Sequence, residues 1–358
     1  RRPRGVPKPW RLLVVELLAA PAAVVAVDGL CVWTNPATGT TTTSTTEAFE
    51  ESILFGEIDG WYDKSVRPSS AVSGELDAPP DVVTVAYELS SFAIDEVSQT
   101  LHSRGQFRAS WYDPRLRYRG PPRSNCSDEK APVWVLSKKA RAAIWRPDLY
   151  FDNLRSTTSD TDEVEDSGAR VYADGLVIDS FYTMSIFDCA LSAKRLPYDR
   201  HVCAINVSPY SHLRQSVLLK AKGSGGDNEA IDATRVQKNK IWELERTSAQ
   251  ETSQWDGHLG GEVSHVDLKL HLARYSRYHF ENSMMPAFLF LGVSYAGFFI
   301  DRLVAPARVT ISTIPVLIMR LLLNGIYARL EAVSYRIYLT QFLTYAMYIS
   351  CACVAEYA

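Results

Sequence analysis

The residues able to do chemistry in this 358-residue chain are thiols, ring systems and a few well-spaced charges. Cysteines stand at 31, 126, 189, 203, 351 and 353. They form no CxxC pair and the histidines are scattered, so a metal site is not expected. No glycine-rich phosphate loop or nucleophile elbow occurs, and neither an enzyme nor a bound cofactor is expected. Thirteen residues separate Cys189 from Cys203, and they include Leu196-Pro197-Tyr198-Asp199. Spacing alone leaves open whether these two thiols pair; a bond between them requires an oxidising compartment. Sequons at Asn125 and Asn206 are candidate glycosylation sites. Arg320 lies inside an apolar run, where a charge is costly unless it faces protein or water.

The elements that must position these groups fall into three parts. Residues 1–45 read as a basic, apolar, signal-like leader followed by a Thr-rich linker over 38–46, flexible in composition. Residues 46–278 have the composition of a soluble domain. Glu47 to Ile58 carries a helical pattern. Beyond it come short runs of β-formers with turn signals between them: Val82–Tyr87, Val133–Leu136, Val171–Met184, Val202–Val207, Val217–Leu219 and Val263–Leu272. Many short strands at this spacing predict an all-β, immunoglobulin-like sandwich. Residues 279–358 hold apolar segments at about 284–300, 304–327 and 335–358, each near the ~20 residues a bilayer requires. Pro315 predicts a kink in the second. The net charge of −3 gives no pull toward nucleic acid.

Several ordered motifs resemble one family. Thirteen residues between Cys189 and Cys203 with an inner Leu-Pro-Tyr-Asp resemble the signature loop of the pentameric ligand-gated channels, the Cys-loop receptors. Trp111-Tyr112-Asp113-Pro114-Arg115-Leu116 resembles their Trp-x-Asp-x-Arg-Leu strand, and Trp145 to Asn153 their Trp-x-Pro-Asp-x-x-Phe-x-Asn loop. Asp174-Gly175, Met285-Pro286 and Val333-Ser334-Tyr335 follow in the family's order. The pattern is most similar to the GABA- and glycine-receptor-like anion channels.

The resemblance implies a disulfide between Cys189 and Cys203 and a ligand site shared between two subunits. Tyr150 and Tyr210 fall on aromatic positions suited to an ammonium group. Arg108 and Ser180, on the opposing face, match residues that grip a carboxylate. Together they imply a small amino-acid-like ligand. Ser208 stands where GABA-type sites carry an acid, and the capping loop offers only Trp255 and His258 as nearby aromatic candidates.

For the pore, Ala305-Pro306-Ala307-Arg308-Val309 resembles the entry of anion-selective members, where Ala307 replaces a nearby glutamate and Arg308 favours chloride. Helical spacing places Thr310, Ile314, Leu317, Leu321 and Gly325 on one lumen-facing stripe. Pro197, Tyr198, Asp199 and Arg274 match positions that couple binding to opening. The resemblance thus implies a multi-pass plasma-membrane protein surrounded by lipid, a homo- or hetero-pentamer, opening a chloride pore. Pro315 and Arg320 leave a non-conducting modulatory subunit open, and a cation-conducting member of the same family is the other alternative. Because the family carries a fourth membrane helix, the resemblance also implies an incomplete subunit.

Overall fold

A computed structural model describes residues 62–74, 78–117, 133–157, 168–172, 174–223, 230–301, 303–328, 330 and 333–357, with the backbone of two short strands, β1 (Val32–Thr34) and β2 (Thr41–Thr43). These two pair antiparallel, so part of the expected Thr-rich linker is a strand. The signal-like leader around them, the helix expected over 47–58 and Asn125 lie outside the described residues.

The domain that follows is a sandwich of two sheets. One runs β11 (Val217–Ala221), β3 (Asp81–Asp95), β4 (Thr100–Tyr112), β9 (Leu176–Asp188), β8 (Gly168–Val171), β5 (Trp134–Leu136), with β12 (Ile231–Asp232) beside β3 and β7 (Leu154–Thr157) beside β9. The other runs β13 (Trp242–Asp256), β14 (Gly261–Arg274), β10 (Arg200–Pro209), β6 (Leu149–Phe151). Alternation builds the core. Val83, Val85, Tyr87 and Leu89 of β3 face Val266, Leu268, Leu270 and Leu272 of β14, all buried in one cluster. Phe151 bridges the sheets, its ring 5.3 Å from Phe107 and 5.4 Å from Phe187. A disulfide joins Cys189 to Cys203, with Cα atoms 5.2 Å apart. Closing a loop of this length stabilises the fold by about 3 kcal/mol on the chain-entropy model.

The Asp174-Gly175 turn has a strict requirement. Gly175 takes φ +88°, and an added Cβ would lie 2.6 Å from the Asp113 carbonyl oxygen. The turn therefore packs directly on the end of the Trp111–Leu116 motif, where the Asp113 amide donates to the Gly175 carbonyl at 2.9 Å.

Three helices long and apolar enough to cross a membrane follow: Arg277–Phe299, Ala305–Tyr327 and Tyr338–Glu356. The first starts earlier than its apolar run. Its polar opening turns are helical because Arg277 and Glu281 pair one turn apart at 2.7 Å and a π-helical segment, Phe280–Met284, carries the chain on. The second is one continuous helix through Pro315, which lies on its buried face. Ser294 and Ser350 hydroxyls meet at 3.2 Å between the first and third, a polar contact between helices.

Candidate ligand face and gating junction

Strand β6 sets the first group. With Phe151 turned into the core, alternation turns Tyr150 and Asp152 outward on the same face of the four-stranded sheet. Ser208 of β10 stands opposite Tyr150 in register. Tyr210, immediately beyond β10, is held by its amide to the Asp148 carbonyl at 2.9 Å. Its ring meets Tyr150 edge to face, with centroids 5.7 Å apart, and is 73% exposed. Two aromatic rings with open faces thus stand side by side.

A carboxylate completes this face. Asp152 accepts a hydrogen bond from the Ser208 hydroxyl, and its other oxygen lies 3.1 Å from His265 Nδ1 of β14. An acid therefore stands beside position 208, at the end of the neighbouring strand, with Ser208 as its donor. The Tyr150 phenol sits above its ordinary range. Contact with Ser208 pulls it down, but partial burial, the adjacent Asp152 and the field of Asp256 outweigh that pull. Asp256 and the exposed Trp255 stand at the tip of the β13–β14 hairpin, where the Asp256 carboxylate caps the His258 and Leu259 amides.

Asp148 locks the two tyrosine segments together. It accepts from His212 Nδ1 at 2.8 Å, from the Ser211 amide at 2.7 Å and from the Ser211 hydroxyl. This bond raises the His212 pKa above its ordinary value. Burial opposes ionisation of Asp148, but its bonds to His212 and Ser211 hold its carboxyl below the usual range.

Arg108 and Ser180 are brought together on the other sheet, opposite each other in the β4–β9 register. Since Phe107 points inward, Arg108 points away from the core, on a different sheet from the tyrosines. Its guanidinium pairs with Glu88 at 2.5 Å and with Gln106 at 2.7 Å. Ser180 donates to the Gly168 carbonyl at 3.2 Å. Asn206 lies mid-strand in β10, half-buried, with its side-chain oxygen unpartnered.

The second group lies where sandwich and helices meet. Arg274, last residue of β14, binds Asp199 through Nε at 2.7 Å and Nη2 at 3.0 Å, and Glu96 through Nη1 at 2.6 Å. It also stacks on Trp242 at 4.2 Å. His201 Nε2 lies 2.7 Å from Asp199. Burial alone would raise the Asp199 carboxyl, but His201 and Arg274 hold it down at about 2. Beside this network Pro197 is buried and Tyr198 is 55% exposed. Leu196 enters the helical cluster of Met284, Leu323, Ile326 and Leu343, and Tyr335 accepts from the Ala193 amide at 3.0 Å. The disulfide loop is thus physically seated on the membrane helices.

The family model for the neurotransmitter-gated ion-channel ligand binding domain matches residues 51–276, well over half of the chain. The chain belongs to the Cys-loop receptor family. It is therefore a subunit of a neurotransmitter-gated channel, from a family that works as pentamers and is not enzymatic. The chain is thus part of a membrane channel, its three apolar helices are each long and apolar enough to cross a bilayer, and the disulfide is the one that names these receptors.

In this receptor subunit the second transmembrane helix has two distinct sides. Ser312, Pro315, Met319, Leu323 and Ile326 are buried against its neighbours. Thr310, Ile314, Leu317, Leu321 and Gly325 are all exposed, as are Ala307 and Arg320. Arg308 is tethered, donating through Nε to the Ile300 carbonyl at 2.8 Å. Sequence reading anticipated the tyrosines and Arg274 but missed Asp152, His265, Glu88 and Glu96. Asp152 was within reach, because strand alternation puts it on the face of Tyr150; His265 and Glu88 come from other strands and Glu96 from the β3–β4 turn.

Proposed function

We propose that this subunit forms a plasma-membrane, multi-pass, anion-conducting channel opened by an amino-acid-like ligand, with residues 46–278 outside and 279–358 crossing the bilayer. The observation that carries the anion reading is the second transmembrane helix. Between Ala305 and Tyr327 it holds two arginines, Arg308 and Arg320, and no acid, and it leaves the Thr310–Ile314–Leu317–Leu321 stripe unburied. A ring of such helices presents positive charge and leucines to the lumen, which favours chloride and permits closure by dewetting.

The ligand reading rests on charge placement. Tyr150 and Tyr210, with Asp152 and Asp256 close by, suit the ammonium end. Arg108 beside Ser180, contributed by the adjacent subunit, suits the carboxylate end, which must share or displace Glu88. A second reading, a subunit that assembles and modulates without conducting, is favoured by Arg320, exposed between Leu317 and Leu321. Expressing the receptor alone under a panel of zwitterionic, amine-only and acid-only ligands separates these. Current evoked by zwitterions and weakened by Arg108→Ala supports the first reading; surface expression with no current until another subunit is added supports the second.

A further inference from the structure

Ser312, on the second apolar helix, is fully buried, yet its hydroxyl has no hydrogen-bond partner among the described residues. A buried hydroxyl without a partner is costly, and inside a membrane no bulk water is there to answer it. The same turn has a second need. Pro315 is also buried and has no amide hydrogen to give the Ile311 carbonyl, which an α-helix aims at it. A hydroxyl and an acceptor from adjacent residues thus meet at one weakened turn.

Helix spacing identifies what Ser312 faces. Leu323 shares a buried cluster with Leu339 and Leu343 of the third apolar helix. That cluster joins the end of one helix to the start of the next, so the two run antiparallel. Ser312 lies eleven residues from Leu323, and Ser350 eleven from Leu339. Eleven residues are about three turns and ~16 Å, so each serine repeats the face of its leucine and both stand at one depth. Ser350 is fully buried too, and it accepts from Ser294 of the first apolar helix at 3.2 Å. Three small hydroxyl side chains, one from each helix, therefore converge on one level. Ser312 stands beyond direct hydrogen-bond reach of the other two. Ser350, while accepting from Ser294, still has its own proton to give.

We infer that this spot binds one ordered water, which accepts from the Ser312 and Ser350 hydroxyls and donates to the Ile311 carbonyl. Three bonds are the usual complement of a buried water, and a bridge of this kind is nearly as good as a direct hydrogen bond. The water ties the turn that Pro315 weakens to the two helices behind it.

The test uses the full-length pentamer in nanodiscs, read by thermal melts and by cryo-electron microscopy at a resolution that shows ordered water. Ser312→Ala removes the hydroxyl and little else. With a water bound, the variant melts a few degrees lower than the wild type. Ser312→Ala and Ser350→Ala together then lower the melting temperature by less than their separate shifts added. If the hydroxyl is orphaned, its removal leaves the melting temperature unchanged or raises it, and that result overturns the proposal. The wild-type map should show a single peak about 3 Å from Ser312 Oγ, Ser350 Oγ and the Ile311 carbonyl oxygen. Ser312 bonded directly to Ser350, or an acyl chain filling the spot, also overturns it. Should either variant fail to assemble, the wild-type map decides alone.

Discussion

Arg274 holds Asp199 through two hydrogen bonds, while both side chains are almost fully buried, 4% and 2% exposed. The pair joins the strand that runs from the tip of the β13–β14 hairpin to the disulfide loop seated on the transmembrane helices. Strand β14 thus runs without a break from that hairpin tip to the junction with the helices. Glu96 widens the connection by tying the β3–β4 turn to the same guanidinium.

Asp199→Asn leaves Arg274 buried with Glu96 as its one acidic partner, and we expect it to cost about 3 kcal/mol of stability. A double-mutant cycle of Asp199→Asn with Arg274→Gln, read on the ligand concentration for half-activation, should give a coupling energy above about 1 kcal/mol. A coupling near zero would detach this pair from gating.

Acid should weaken the same junction. The Asp199 carboxyl titrates at about 2 when folded against 3.8 ordinarily. A depressed carboxyl contributes stability that is present above its unfolded value and lost as pH falls through the folded one. The receptor should lose about 2 kcal/mol between roughly pH 4 and pH 2 through this group. Thermal melts of the wild type and Asp199→Asn over that range check it: the slope should be shallower in the variant.

His212 works in the opposite direction. Its bond to Asp148 raises its pKa, so the ion pair is intact below the ordinary value of 6.5 and is lost as pH rises through the raised one. Ligand potency should therefore decline as pH climbs past neutral, because the clamp holding Tyr210 beside Tyr150 loosens. His212→Gln should flatten that dependence; an unchanged pH profile in the variant would remove the clamp from ligand recognition.

Much of this architecture was legible along the chain. Val263, Val266, Leu268, Leu270 and Leu272 announce β14 by near-alternation, and the apolar runs announce the helices. Strand β13 was not legible. Trp242–Asp256 is polar and largely exposed, and its strand form comes from pairing with β14 along its whole length. Strand β4 was masked in the same way, since Arg104-Gly105-Gln106 interrupts its apolar pattern. At the ligand face, the aromatic residues could be placed by motif. The carboxylate at Asp152 depends on His265, more than a hundred residues away, and no local pattern predicts that contact. The pairing of Arg108 with Glu88 likewise needs the β3–β4 register, which the sequence does not display.

The Asp152 arrangement gives its own prediction. Asp152→Asn keeps the shape of the side chain but removes its charge, so a ligand carrying an ammonium group should lose roughly tenfold in potency, about 1.4 kcal/mol. Ser208→Ala should lose less, because it removes a donor to Asp152 and leaves the charge. Tyr210→Ala should exceed Tyr210→Phe, since the ring face and not the hydroxyl attracts the cation. Dose–response curves on the four variants, with surface expression matched, check the order.

The most direct measurement is the reversal potential of ligand-evoked current through the receptor under ion substitution. If the second transmembrane helices present Arg308 without an acidic ring, the reversal potential should move by about 59 mV for a tenfold change in external chloride and stay fixed when sodium is replaced by an impermeant cation. A reversal potential that follows sodium and ignores chloride would contradict the account.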